Sequence, residues 1–219
     1  MALCLFAPCT EFQFTTNVDG ANSTKPLLCV CGGLLTTKLI KMKRYNIIYA
    51  DPAWEMGNKS KKRVLVPKYD VMSSEDIINL PIDNIADDNC ALLLWTINSK
   101  IPDAIKLIEK IGFRYVGIAF CWVKTSKKTG IPNCRMAGNY TLQGIELCLL
   151  AIKGSMETKD RTVRQVQMIP RLFHSKKPDI IANEIVRLFG DLPRIELFAR
   201  DVKQGWDVWG NEVEGSVNL

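Results

Sequence analysis

Tyr45-Asn46-Ile47-Ile48-Tyr49-Ala50-Asp51-Pro52-Ala53-Trp54 is the stretch on which the fold reading turns. Its first six residues are mostly aromatic or β-branched, types that fit a pleated, half-buried surface. Asp51-Pro52 then stops the run, because proline fixes φ and has no N–H for a ladder. The stretch therefore reads as a short strand, Tyr45 to Ala50, delivering a carboxylate, a proline and an indole to its carboxyl end.

Downstream the pattern alternates. Ser73-Ser74-Glu75-Asp76 caps a short helix through about Leu80. Cys90-Ala-Leu-Leu-Leu-Trp-Thr96 is almost wholly apolar, as expected of a strand buried on both faces. Pro102 sits near the first turn of a helix whose Ala104, Ile105, Leu107, Ile108 and Ile111 fall at helical spacing before Gly112. Tyr115 to Val123 and Ile145 to Ile152 read as strands, separated by a long polar loop, Lys124 to Thr141. A loop of that length in a compact domain is usually functional or disordered. Pro178 opens a helix with Ile181, Ile185 and Leu188 on one face and Gly190 at its end, and Arg194 to Phe198 is the final strand. Alternating strands and helices predict an α/β fold, a mainly parallel sheet with helices on both faces.

The chain has 219 residues, 47% hydrophobic and 24% charged, the balance of one ordinary globular domain with a real core. No apolar run reaches the roughly 18 residues of a membrane span. A net charge of +6 permits a polyanionic partner without demanding one. The eight cysteines lie largely in apolar runs and read as reduced core residues of a cytoplasmic protein. Cys4, Cys9, Cys29 and Cys31 match no zinc spacing, and the single histidine, His174, argues against a catalytic zinc site, so no metal is expected. No Gly-x-Gly-x-x-Gly follows a strand, which disfavours a nicotinamide or flavin enzyme. Residues 1–41 are rich in Thr, Cys and small residues without sustained periodicity. They are expected to be an extension, disordered or outside the functional protein, with the functional domain at 42–219.

In open α/β sheets, ligands bind at the carboxyl ends of strands. Asp51 there can accept from an exocyclic amine, and so can the carbonyl of Pro52. An exposed Trp54 could stack on the same flat ring, worth roughly 1–3 kcal/mol per base. Basic residues gather around this end in sequence: Lys59, Lys61, Lys62 and Arg63; Lys124, Lys127, Lys128 and Arg135; Arg161, Arg164, Arg171, Lys176 and Lys177. Such groups can hold a phosphate backbone.

Seven stretches carry a resemblance: Tyr45 to Trp54, Leu-Leu-Leu-Trp95, Phe-Cys-Trp122-Val-Lys124, Ile-Glu146-Leu-Cys-Leu-Leu-Ala-Ile-Lys-Gly154, His174-Ser-Lys-Lys177-Pro-Asp179, Ile-Glu196-Leu-Phe-Ala-Arg200 and Gly205-Trp-Asp-Val-Trp-Gly-Asn211-Glu212. In this order, over about residues 43–213, the chain resembles the MT-A70 family of adenine-N6 methyltransferases, particularly its short bacterial and phage members. The resemblance implies a Rossmann-like fold with S-adenosylmethionine as methyl donor. The acceptor is adenine N6 in nucleic acid, DNA first and RNA as the other substrate of the family. It implies that Asp51 and Pro52 orient the amine while Trp54 stacks the base. It implies that Ala50, Lys177, Phe198, Arg200, Asn211 and Glu212 hold the donor, and Ala53, Lys124 and Glu146 are expected to meet the substrate together with Lys62 and Arg63, which are named for their charge. A homo- or heterodimer is consistent with it. The family pattern is Asp-Pro-Pro-Trp, and Ala53 departs from it. That departure is the one hint of an alternative, a catalytically silent nucleic-acid-binding subunit, against which Asp51, Trp54, Lys177 and Asn211 argue.

Overall fold

The computed structural model describes residues 27–31, 34–38, 43–55, 72–134, 136–137, 140–171, 176–217 and 219. The chain divides into two compact units, Met1–Lys43 and Arg44–Leu219. In the first, β1 (Leu27–Cys31) and β2 (Leu34–Lys38) pair antiparallel with Cys31 opposite Leu34. No element is expected there from periodicity, yet Gly32-Gly33 between two short runs is a sequence signal for a hairpin.

The second unit is built on β3 (Tyr45–Ala50), α1 (Ser74–Ile78), β4 (Ala86–Thr96), α2 (Ile101–Lys110), β5 (Arg114–Thr125), β6 (Met136–Ala137), β7 (Leu142–Gln143), β8 (Ile145–Lys153), β9 (Val166–Pro170), α3 (Ile180–Phe189), β10 (Arg194–Leu197) and β11 (Asp207–Trp209). Seven strands form one sheet in the order β11-β10-β3-β4-β8-β5-β9. All run parallel except β8, which is antiparallel to both β4 and β5.

Helices cover both faces. Ser73 caps α1, its Oγ accepting from the Asp76 N–H at 3.1 Å. Ala104, Leu107 and Ile108 of α2 are buried with Ile77 of α1 against Ile48, Leu92 and Leu94. Ile181, Ala182, Ile185 and Phe189 of α3 pack on the opposite face against Ile47, Tyr49, Leu93 and Trp95. Gly112 at φ 74° and Gly190 at φ 91° follow α2 and α3 in backbone conformations that a side chain disfavours. Cys90 to Thr96 is buried throughout, as a strand sandwiched between two helical layers must be.

The sheet departs from simple strand–helix alternation in its reversed β8 and in two further strands, β9 and β11. The polar stretch from Lys124 to Thr141 is not wholly loop. Ser126 N donates to Ile131 O at 2.9 Å, Thr125 bridges to Pro132, and β6 pairs with β7. Cys90 and Cys148 are buried free thiols, Cys121 is half-buried and Cys134 exposed. Among the described residues no helix is long and apolar enough to cross a membrane.

Candidate active site

Strand alternation selects what the carboxyl end of β3 presents. Tyr49 and Asp51, two residues apart, share the α3 face, whereas the Ala50 side chain is fully buried toward α1 and α2. Parallel register sets Glu196 beside Tyr49 on one flank and Leu93 on the other. Trp95, two residues past Leu93, donates its indole N–H to the Tyr49 hydroxyl at 2.8 Å. The Asp51 N–H donates to Leu197 O at 3.4 Å, tying the loop to the end of β10.

Four charged side chains alternate across this end. Lys177, just before α3, places Nζ 2.6 Å from Asp51 Oδ1 and 3.1 Å from Glu146 Oε2. Lys124, near the end of β5, pairs with the other Glu146 oxygen. Lys177 also lies 5.3 Å from the centre of the Trp95 ring, and Lys124 5.1 Å from that of Trp122. Burial pushes the Asp51 carboxyl above its ordinary range, outweighing the pull of Lys177. Burial also raises Glu146, but Lys177 and Lys124 together hold it below its ordinary range. For Lys177, burial works to lower the pKa, and Asp51 and Glu146 overcome it, so the ammonium stays charged.

Beside this cluster lies an open cleft of about 430 Å³, part of it open to solvent, bordered by Tyr49, Asp51, Lys177, Glu196, Phe198 and Arg200 among others. Glu196 is only 8% exposed and accepts from Lys203, yet burial still raises its carboxyl. Lys176 bridges Asp201 at 2.9 Å and Asp179 at 3.2 Å on the rim. The turn after β10 is unusual. Phe198 has φ 62°, uncommon for a bulky residue, and its ring meets Trp209 edge-on at 5.3 Å. The Ala199 N–H donates to Trp209 O at 3.0 Å. A Cβ at Gly210 would stand 2.4 Å from Ala199 O, so only glycine allows the approach. This packing brings the next residues to the turn, with Arg200 Nε 3.6 Å from Glu212 Oε1 and Asn211 exposed beside it.

The structure thus gathers Asp51, Lys177, Glu146 and Lys124 in one network and sets Phe198 and Arg200 on the same cleft, with Glu212 against Arg200. Pro52 is buried and Ala53 half-buried. Lys62, Arg63 and His174 lie outside the described residues. Trp54 requires a correction. The sequence reads it as an exposed stacking surface, but it is 7% exposed and belongs to the core cluster with Ile77 and Leu94. Its indole N–H donates to Trp95 O at 2.9 Å, and its backbone bridges to Met72, so the ring faces inward. A strand-end position does not fix which way a ring turns, and the apolar face of α1 supplies the deeper burial.

Tyr49, Glu196 and Lys203 were not singled out from the sequence. Glu196 carried a readable signal: an acidic residue between Ile195 and Leu197, where a buried strand should hold apolar side chains only.

The MT-A70 family matches this chain over residues 45–212. Over 191 residues the chain is 34% identical to the type II methyltransferase M.MunI of Mycoplasma sp, covering 78% of each. It is 25% identical over 214 residues to the N(6)-adenosine-methyltransferase catalytic subunit METTL3 of Homo sapiens, 95% of this chain and 35% of that one. It is 26% identical over 186 residues to the human N(6)-adenine-specific methyltransferase METTL4, 78% of this chain and 38% of that one. The chain therefore spans little more than a third of either human relative. With the family match over most of its length and that degree of identity to the Mycoplasma enzyme, the chain belongs to the MT-A70 family.

Proposed function

We propose that the protein transfers the methyl group of S-adenosylmethionine to the N6 amine of adenine in DNA, and that residues 42–219 carry the activity. The observation that carries this reading is the Asp51 carboxylate, held by Lys177 at the border of a cleft lined by both signs of charge, with Pro52 next to it in the chain.

The adenine amine is a poor nucleophile because its lone pair is delocalised into the ring. Lys177 occupies Asp51 Oδ1, which leaves Oδ2 to accept one amine proton. Pro52 O accepts from the Trp54 N–H at 2.9 Å, and its second lone pair can take the other. Two acceptors taking both amine protons would turn the amine toward its electrophile and localise its lone pair, which is catalysis by positioning and electrostatics. The proton released on methylation passes to Asp51, whose affinity for it burial has raised.

The cleft fits the donor chemically. A zwitterionic amino acid with a sulfonium needs acceptors and donors side by side, which Asp51, Glu196 and Lys177 supply, and a hydroxylated ribose suits Arg200, Asn211 and Glu212 near the Phe198 turn. Bound there, S-adenosylmethionine contributes an electrophilic methyl group. Trp54 serves from within the core, holding the Pro52 carbonyl in place. In duplex DNA the target base must leave the stack to reach the site. A second subunit, in a homo- or heterodimer, would extend the grip on DNA, and the cytoplasm is the compartment this reading assigns.

Expression in a host lacking adenine methylation, followed by nucleoside mass spectrometry of DNA and RNA, tests the proposal. N6-methyladenine should appear in DNA and vanish with Asp51→Ala. A mark confined to RNA overturns the substrate, and no mark with no donor binding by calorimetry returns the silent-subunit reading.

A further inference from the structure

The stretch between β5 and β8 is absorbed by neither the donor cleft nor the amine site, yet it grows from their edge. Because β8 runs opposite to β5, the carboxyl end of β5 and the amino end of β8 lie at the same end of the sheet as Asp51. Both roots of the segment are tied down there. Lys124 N donates to Gly144 O at 2.9 Å, and Asn133 N donates to Lys124 O at 2.7 Å. A Cβ at Gly144 would stand 3.2 Å from the backbone of Cys134, so the two limbs run close. Lys124 and Glu146 at the roots belong to the Asp51–Lys177 network.

Beyond the roots the composition turns outward. Tyr140, at the turn between β6 and β7, is fully exposed at 100%. Leu142 at 64% and Ile131 at 63% accompany it, and Lys127 and Lys128 are exposed on the first limb. Exposing this much apolar and aromatic surface in a segment that also carries exposed lysines does nothing for folding, whereas a nucleic acid takes both, phosphates on lysines and bases on a flat ring.

We propose that Tyr140 is a positioning residue that enters the base stack of duplex DNA and occupies the gap left by the extruded adenine. This rests on the adenine-methylation reading above. Tyr140 lies six positions before Glu146, so a fully extended chain keeps its Cα within about 20 Å of that of Glu146, the length of roughly six stacked base pairs. The lysines of the first limb would hold the flanking phosphates while the ring holds the opening.

The test uses the full chain and the recognition site mapped from DNA it has methylated. Two duplexes carry that site, one with the target adenine paired to thymine and one with it opposite an abasic position, where no base pair has to be broken and extrusion is cheaper. Tyr140→Ala should slow methylation of the paired duplex tenfold or more and of the abasic duplex less than about threefold, the span expected for one stacked base. Tyr140→Phe should retain both rates, and unfolding and donor binding should be unchanged in either variant. Tyr140→Ala at the wild-type rate on the paired duplex, or slowed equally on both, overturns the proposal and leaves the methyltransferase reading standing. A wild-type chain that methylates no DNA overturns the reading beneath it.

Discussion

Lys177 Nζ sits 2.6 Å from Asp51 Oδ1 and 3.1 Å from Glu146 Oε2, so one ammonium bridges two carboxylates that arrive from opposite sides of β4. The three side chains are between 15% and 23% exposed, dry enough for each charge to depend on its neighbours. An asymmetry follows. Asp51→Asn leaves Lys177 paired with Glu146, so the fold should stay within about 1 kcal/mol of the parent while methyl transfer is lost. Lys177→Met strips Asp51 of its ion-pair partner while Glu146 keeps Lys124, and should destabilise by about 2–3 kcal/mol, toward the lower end for a broken buried pair. Urea unfolding midpoints of the two variants check this, and equal destabilisation would show that Lys177 is not the shared counter-ion.

The same cluster sets an acid limb for activity. Asp51 must be ionised to accept from the amine, and burial has moved its carboxyl above the ordinary 3.8. Activity at saturating donor should therefore fall with decreasing pH through a value above 3.8, and the limb should move to still higher pH in any Lys177→Met protein that retains turnover. For stability the two carboxylates have opposite signs. Asp51, raised on folding, contributes stability that is present below its unfolded value and lost as pH rises through its folded value. Glu146, depressed on folding, contributes stability present above its unfolded 4.5 and lost as pH falls through its lower folded value. Glu146→Gln should remove the second dependence, which unfolding midpoints between about pH 3 and pH 7 would register.

Trp54 shows what a strand-end motif leaves undecided. The sequence places an indole after Asp51-Pro52, and chemistry offers it two destinations, a ligand or the core. The structure chooses the core, where the ring packs with Ile77 and Leu94 and satisfies Trp95 O. Trp54→Phe keeps an aromatic ring but leaves that buried carbonyl without its indole donor, which costs about 1–3 kcal/mol. At about 2–4 °C per kcal/mol for a domain of this size, thermal unfolding should come roughly 2–12 °C earlier. A Trp54→Phe protein as stable as the parent but weaker in DNA binding would return the indole to the substrate.

Other parts of the fold were legible to differing depth, for physical reasons. Cys90 to Thr96 announced itself because burial on both faces leaves an uninterrupted apolar run. The reversed direction of β8 did not, because Ile145 to Lys153 is an apolar run whichever way it points. Strand β9, Val-Gln-Met-Ile-Pro, lies at the sheet edge with Val166 53% and Met168 56% exposed, so it lacks the apolar density of a central strand. Strand β11, Asp207–Trp209, is too short for any periodicity to show. At the site, Asp51, Lys124, Glu146 and Lys177 could each be named from motifs, but the chain gives no hint that Lys177 bonds a residue 126 positions away. Pairing of that kind is written in topology, in the strand order that lays β3 and β4 side by side and brings α3 across them.

Ala53, the one departure from the family motif, yields the final prediction. The Trp54 N–H donates to Pro52 O across Ala53, a bond spanning three residues, and Ala53 is not among the residues with positive φ. That is the pattern of an inverse γ-turn, whose central residue prefers φ near −75°. Proline is fixed at about −65°, so it fits this position without strain. The turn therefore has the shape that a second proline would impose, and alanine reaches it by giving up more freedom on folding. Ala53→Pro should raise stability by about 0.4–1 kcal/mol through the unfolded chain and leave the Pro52 carbonyl where it is. Thermal unfolding should shift upward by roughly 1–4 °C with methyl transfer at least as fast as in the parent. A large loss of stability in this variant would mean that the loop holds Ala53 outside the proline range, and that the acceptor geometry at Pro52 depends on alanine.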